Sequence, residues 1–580
     1  MASASMAQDN GRLFMPIGGG YADTLPAFGA AAVERASGDV VKITVLPITY
    51  ATDAETISAE ELTENLDAAE GRREQVAEAC AEAAPEGVTC DVQLAPVFVR
   101  TDALNEENLA FFPDDLAAVY ILGGDQTIAM KVVAGTPIES ALQAAYERGA
   151  LIGGTSAGLS VQSRAMIGGY LGDFGPESGL NAGAVDLWNS DEQRGLAFGL
   201  TNVILEQHFW ERGRLPRLLN ALAQPDAPRV GVGVDTYTAA QIRDETLLTG
   251  VAGLYNAIVL DAETLGSGGN ARFENDILSI KDVLFHLLAP GEFSYDLTTR
   301  IPSMSGSVIE PNAERFADFA LPADTAPLIV AGNLADALPG HPALVRLSEL
   351  AGGADGLIVV LAAGYASEDE ARAAADAYAA ALGTPTMTLI ASPDATIELP
   401  PGTGGYSGIL VTAPDQSALT TDVLRQVAAA WRSGKALLLD NAAAGLAGAV
   451  YAAQGPTPEA TDDEPDADVL AIQNAFLQGT TPFAEGLGLL PFAVEPRLLD
   501  DYRWGRLVAL AYEQDARLAL GLSAGAAVEF SGGAARALGT NGVVVLDLRQ
   551  ASLGLGTNNA YTFANGLLDV FAPGEALVGG

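Results

Sequence analysis

The sequence predicts an α/β fold built twice, as tandem duplicated α/β/α sandwich domains with mostly parallel sheets. Three observations carry this. Short apolar runs ending in glycine-rich turns alternate with stretches of helical spacing, the rhythm of a parallel sheet covered by helices. An ordered series of these segments recurs in the second half of the chain. At 580 residues, 49% of them apolar, the chain is also too long for a single core and too apolar to be largely disordered.

In the first half, 13–17 is an apolar run ending in Gly18-Gly19-Gly20. Residues 41–48 read as a buried strand, 58–81 as a helix and 92–97 as a further strand. Residues 118–122 are apolar and end in Gly123-Gly124-Asp125-Gln126; 137–148 read as a helix, and 150–152 as a strand running into Gly154-Thr155-Ser156-Ala157-Gly158. The glycines fall at strand ends, where open α/β sheets place their sites.

The order returns later. Residues 328–330 precede Ala331-Gly332-Asn333, and 409–412 precede Ala413-Pro414-Asp415-Gln416. Gly213-Arg214-Leu215 is matched to Gly505-Arg506-Leu507, and 258–261 to 544–547. On this alignment Ser156 falls opposite Ala443, and of the three clustered arginines Arg212, Arg214 and Arg217 only one is retained, as Arg506. The organisation expected is a flexible 1–10, a first domain 11–305, a linker 306–324 and a second domain 325–580. Residues 455–468, acidic and proline-rich, read as a surface insertion.

The charge is extreme: 74 acidic against 30 basic residues, net −44, with four lysines. Such a surface repels nucleic acid and anionic membrane and tolerates salt. No apolar run reaches the length of a membrane span. Cys80 and Cys90, the only cysteines, are compatible with a local disulfide or with free thiols. Residues 1–10 lack the basic and apolar regions of a signal peptide, although Ala2-Ser3-Ala4 resembles the tail of a cleaved one. An exported and a cytoplasmic location both stay open.

Ser156 lies in a G-x-S-x-G frame between a strand and a helix-compatible stretch, the setting that lifts a nucleophilic hydroxyl out of the backbone. A serine needs a base, and the chain has three histidines. His286 sits in an apolar run and His341 in a Gly-His-Pro loop. His208 lies in Glu206-Gln207-His208-Phe209-Trp210-Glu211-Arg212-Gly213-Arg214, and is the partner of choice. Arg212, Arg214 and Arg217 gather scarce cations beside it. Their forked donors suit substrate carboxylates or internal salt bridges. Three scattered histidines offer no metal-ligand cluster, and no cofactor is implied.

At Gly18–Gly20, Gly123–Gln126, Gly153–Gly158, Gln207-His208-Phe209 with its arginines, and Gly231–Thr238, the sequence resembles the cyanophycinase family, serine peptidases of the S51 type. The resemblance covers residues 11–305, and the second copy is similar to a degenerate member. It implies a class-I-glutamine-amidotransferase-like architecture, Ser156 as nucleophile and His208 as general base. It also implies a substrate pocket shaped by Gln126, Gln207, Arg212, Arg214 and Arg217. The substrate implied is cyanophycin, a polyaspartate with arginine on each side chain, cut to β-Asp-Arg dipeptides. Small aspartyl or isoaspartyl peptides, or binding without catalysis, are the alternatives. Two departures stand out. Thr236 occupies the place of the acid that orients the histidine, and Glu206 stands where the family commonly has Asp. Asp235 and Glu206 are the candidate replacements. The second copy is expected to form a pseudo-dimer with the first within one chain, with further homo-oligomers open.

Overall fold

The structure is a computed structural model. It describes residues 11–312, 321–391, 398–400, 405–453, 455, 458, 460–461 and 466–577. The expected flexible N-terminus, the middle of the expected linker and half of the acidic insertion lie outside the described residues.

The fold is mixed α/β, organised on three large sheets. In the first half, strands Leu13–Ile17, Leu151–Thr155, Ala118–Ile121, Val40–Leu46 and Thr89–Leu94 form a parallel block. Antiparallel strands extend it on one edge as far as Ser307–Val308, three residues beyond the boundary read from sequence. In the second half, Leu328–Ala331, Ala436–Asn441, Gly408–Ala413, Ile358–Ala362 and Thr386–Ile390 repeat that parallel block. Apart from the start of Val40–Leu46, the inner strands of both blocks are buried along their whole length, as strands covered by helices must be, while the edge strands Thr89–Leu94 and Thr386–Ile390 are partly exposed. Cys80 and Cys90 form a disulfide joining helix Ala59–Ala83 to strand Thr89–Leu94.

The third sheet joins the halves. Its order places Val203–Glu206, Val230–Val234, Ala257–Asp261 and Ile277–Leu288 on one side. Tyr561–Phe571, Val543–Asp547, Leu518–Leu522 and Ala493–Pro496 mirror them on the other. The seam is the antiparallel pair Ile277–Leu288 and Tyr561–Phe571, in which Leu284 faces Leu567. These two are counterparts, since 567 − 284 equals the 283-residue offset of Leu288 and Phe571 at the strand ends. A residue facing its own counterpart is what a local two-fold axis produces. Phe285 packs edge-on against Phe563 across the seam, centroids 5.0 Å apart. His286 is buried beside them and accepts the Asn565 N–H. His341 is no loose loop residue: it is buried, caps helix Pro342–Leu350 and bonds the Gly525 carbonyl. Among the described residues no helix is long and apolar enough to cross a membrane.

Candidate active site

Strand Leu151–Thr155 runs inside the parallel block, between Leu13–Ile17 and Ala118–Ile121, and delivers Ser156 at its C-terminal end. Ser156 has φ 54° and ψ −118°, in the positive-φ range that side chains rarely adopt. The turn closes because its neighbours are small: a Cβ on Gly158 would meet the Ile121 carbonyl at 2.3 Å. The Ser156 N–H is spent on the Ile17 carbonyl. The next N–H, on Ala157, opens the helix Ala157–Ser160 and has no intrahelical acceptor.

His208 follows strand Val203–Glu206 and also has positive φ, 44°; its N–H is held by the Gly18 carbonyl at 2.9 Å. Its Nε2 lies 3.0 Å from Ser156 Oγ. Its Nδ1 lies 2.5 Å from Glu211 Oε1 and 2.7 Å from Thr236 Oγ1. The Thr236 hydroxyl donates to the same Glu211 oxygen. The tautomer assigned from this network has Nδ1–H donating to Glu211 and Nε2 accepting from Ser156. A Cβ on Gly19 would sit 2.5 Å from His208 Cε1, so only glycine lets the ring reach the serine.

The acid on His208 is therefore Glu211, which the sequence reading quoted but did not single out. The available signal was a carboxylate three residues past the histidine, within the same turn. Glu206 does not reach the ring. It is buried and pairs with Arg217 through two bonds, 2.9 and 2.7 Å, and with Arg214 at 3.4 Å. Asp235 accepts the Trp210 N–H through Oδ1 and the Gln473 side chain through Oδ2, and lies against Glu211. Burial, reinforced by the neighbouring Glu211 charge, pushes the Asp235 carboxyl well above the usual carboxylate range. Burial would raise Glu211 too, but the His208 hydrogen bond and charge outweigh it and keep Glu211 ionised. Burial lowers His208 below its ordinary value, with Glu211 opposing.

Gln126 is buried and donates to the Ile167 and Gly168 carbonyls. Gln207 Oε1 lies 3.3 Å from Ser156 Oγ. Arg214 also bonds the Gln207 carbonyl, and Arg217 lies over the Tyr170 ring. Only Arg212 of the three arginines is exposed, its side chain 52% accessible and 4.0 Å from Glu211. For Arg214 and Arg217, then, the geometry is that of internal salt bridges.

The second half corrects the alignment. Ile17 pairs Thr155, and Ala331, its counterpart one residue before the matching glycine, pairs Asp440. The counterpart of Ser156 is therefore Asn441, two residues before Ala443, with the same turn at φ 58° and ψ −140°. Its side chain accepts the Ala442 N–H. Asparagine tolerates positive φ, so the turn survives without a hydroxyl. Glu495 pairs with Arg503 and Arg506 at the sequence spacings of Glu206, Arg214 and Arg217. Two arginines are thus kept, not one, and His208 is matched by Arg497, again at positive φ, 58°. Ser523 and Ala524 fall opposite Asp235 and Thr236.

A serine on a strained strand–helix turn, bonded to a histidine that is bonded to a buried carboxylate, defines a serine-hydrolase type of site. No family model matches the chain. Over 212 residues it is 32% identical to a cyanophycinase from Synechococcus elongatus, covering 36% of this chain and 61% of that protein. Over 199 residues it is 29% identical to a cyanophycinase from Geminocystis herdmanii, covering 34% and 68%. The chain thus spans about three-fifths of the length of the first of these relatives. Among solved structures, a peptidase from an acI-B1 Actinobacterium aligns at 18% identity and TM-score 0.34, covering 49% of this chain and 97% of that one. A putative Peptidase E protein from Listeria monocytogenes EGD-e aligns at 15% and 0.25, covering 40% and 95%. Over about a third of its length the chain is similar to cyanophycinases.

Proposed function

We propose that the first half hydrolyses cyanophycin to β-Asp-Arg dipeptides through a Ser156 acyl-enzyme. The observation that carries this is the file Ser156–His208–Glu211, with contacts of 3.0 and 2.5 Å. His208 Nε2 takes the Ser156 proton as Oγ attacks the backbone α-carbonyl of an aspartate whose β-carboxyl keeps its arginine, and Glu211 stabilises the imidazolium that results. The Ala157 N–H is placed to hold the oxyanion. The imidazolium then protonates the leaving nitrogen, and water, activated by the same histidine, releases the acyl group. Arg212, exposed beside the site, is the arginine placed to hold a free carboxylate of the substrate.

Small isoaspartyl peptides are the second reading. It is favoured by the burial of Arg214 and Arg217, which leaves one exposed arginine where a polymer pocket was expected to have three.

The test is release of soluble dipeptide from insoluble cyanophycin, alongside turnover of β-Asp peptides. Ser156→Ala should cut kcat by about 10⁴-fold or more. Because burial lowers His208, its neutral form persists below its ordinary value. The acid limb of kcat/KM should therefore have its midpoint below about 6.5, with rate lost as pH falls through it. Release from neither substrate, or a midpoint above that value, would overturn the assignment.

A further inference from the structure

The catalytic half does not hold its own acid turn unaided. Helix Ala467–Asn474 of the second half ends against the loop that carries His208 and the turn that carries Thr236. Gln473, fully buried, crosses the joint. Its Nε2 donates to Asp235 Oδ2 at 2.8 Å and lies 3.3 Å from the Thr236 carbonyl. The other Asp235 oxygen takes the N–H of Trp210, the residue before Glu211. One side chain from the second half thus ties together the two segments that meet at His208 Nδ1: the His208-to-Glu211 turn and the Asp235–Thr236 turn.

Two neighbours of Gln473 strengthen the same joint without touching the acids. Asn474 accepts from the Tyr255 hydroxyl at 3.1 Å. Phe476 stacks on Trp210 with centroids 4.3 Å apart. The Gln473 contact also runs one way. In the second half the counterpart of Asp235 is Ser523, whose buried hydroxyl has no hydrogen-bond partner among the described residues. A contact made only toward the half that has a serine and a histidine is not explained by symmetric packing alone.

We infer that Gln473 is a positioning residue for the proposed hydrolysis, so that the degenerate copy completes the acid end of the site in the other copy. The inference rests on the serine-hydrolase reading above. Gln473 acts through Asp235 and Thr236: it fixes the Thr236 hydroxyl and the wall against which Glu211 lies, and these fix the His208 ring. With Gln473 removed, Asp235 Oδ2 is left buried without its donor, and the turn relaxes to find another. A displacement well under the length of a bond at Glu211 is passed on to the histidine and to the proton transfer it makes.

The experiment uses the full chain. Gln473→Met keeps the volume and removes the polar atoms. Asn474→Ala is its control, on the same helix and at the same joint but away from the acids. Gln473→Met should lower kcat about tenfold with KM within about twofold, while Asn474→Ala costs thermal stability and leaves kcat near wild type. The acid limb should move to lower pH in Gln473→Met only, because Glu211 is what supports the His208 charge against burial. Glu211, Arg212, Arg214 and Asp235 are the charged or titratable groups around that ring. His208 titration followed by NMR reads the same coupling without substrate. If wild type turns over neither cyanophycin nor β-Asp peptides, the functional reading falls, and the NMR shift still decides this one. Equal kcat and equal His208 titration in Gln473→Met and wild type overturn it. So does a loss of kcat that Asn474→Ala reproduces.

Discussion

Glu211→Gln lowers kcat by about 10⁴-fold with KM little changed, the size seen when the acid of a serine triad loses its charge but keeps its shape. The amide can still meet Nδ1, but its NH₂ competes to face the ring and favours the wrong tautomer. It also brings no charge to the imidazolium. Asp235→Asn should cost less than about tenfold, because burial beside the Glu211 charge already pushes that carboxyl well up, toward its neutral form. An amide is a fair copy of a neutral acid, and Gln473 can turn toward it an Oε1 that has no partner among the described residues. Glu206→Gln belongs with neither, since that carboxylate is occupied by Arg214 and Arg217. The three variants measured side by side on one substrate separate the assignments. If Asp235→Asn is crippled and Glu211→Gln is not, the acid is Asp235.

Much of this was legible in the residues. The parallel blocks follow from apolar runs that stop at glycines. That Ser156 and His208 are neighbours followed from a strand–turn–helix frame and a shortage of histidines. Glu211 was hidden because a residue three positions along an ordinary extended segment lies far from the ring. The positive φ at His208 folds the chain back, and nothing in a lone histidine announces that. The register of the second copy slipped by two residues at Asn441 because Asn-Ala-Ala-Ala-Gly offers few side-chain landmarks; the landmark is a backbone angle. The central sheet was hidden for another reason. The run 277–288 is plainly apolar, but its partner lies nearly 300 residues away in the chain, and pairing at that range has no local signature.

Glu206→Gln should cost about 3–5 kcal/mol of stability. Glu206 is 1% exposed, and Arg214 and Arg217 are both buried around it. Neutralising the acid leaves two guanidinium groups out of water with no anion, a loss far larger than that of a surface ion pair. Burial, with Arg217 alongside, already pulls Arg214 down to about 9. In the second half burial lowers Arg506 in the same way, to about 10, against Glu495. Glu495→Gln should therefore also destabilise, by less, because Asp501 stays on Arg503 at 2.6 Å. That second variant is the informative one. The second half has Asn441 and Arg497 where the first has Ser156 and His208, so no turnover is expected there for its arginines to serve. A cluster that persists without that chemistry, at unchanged spacing, is explained by its work in the fold. Chemical denaturation of both variants checks this. If Glu495→Gln is neutral while Glu206→Gln leaves stability intact and raises KM, then Arg214 and Arg217 bind substrate after all.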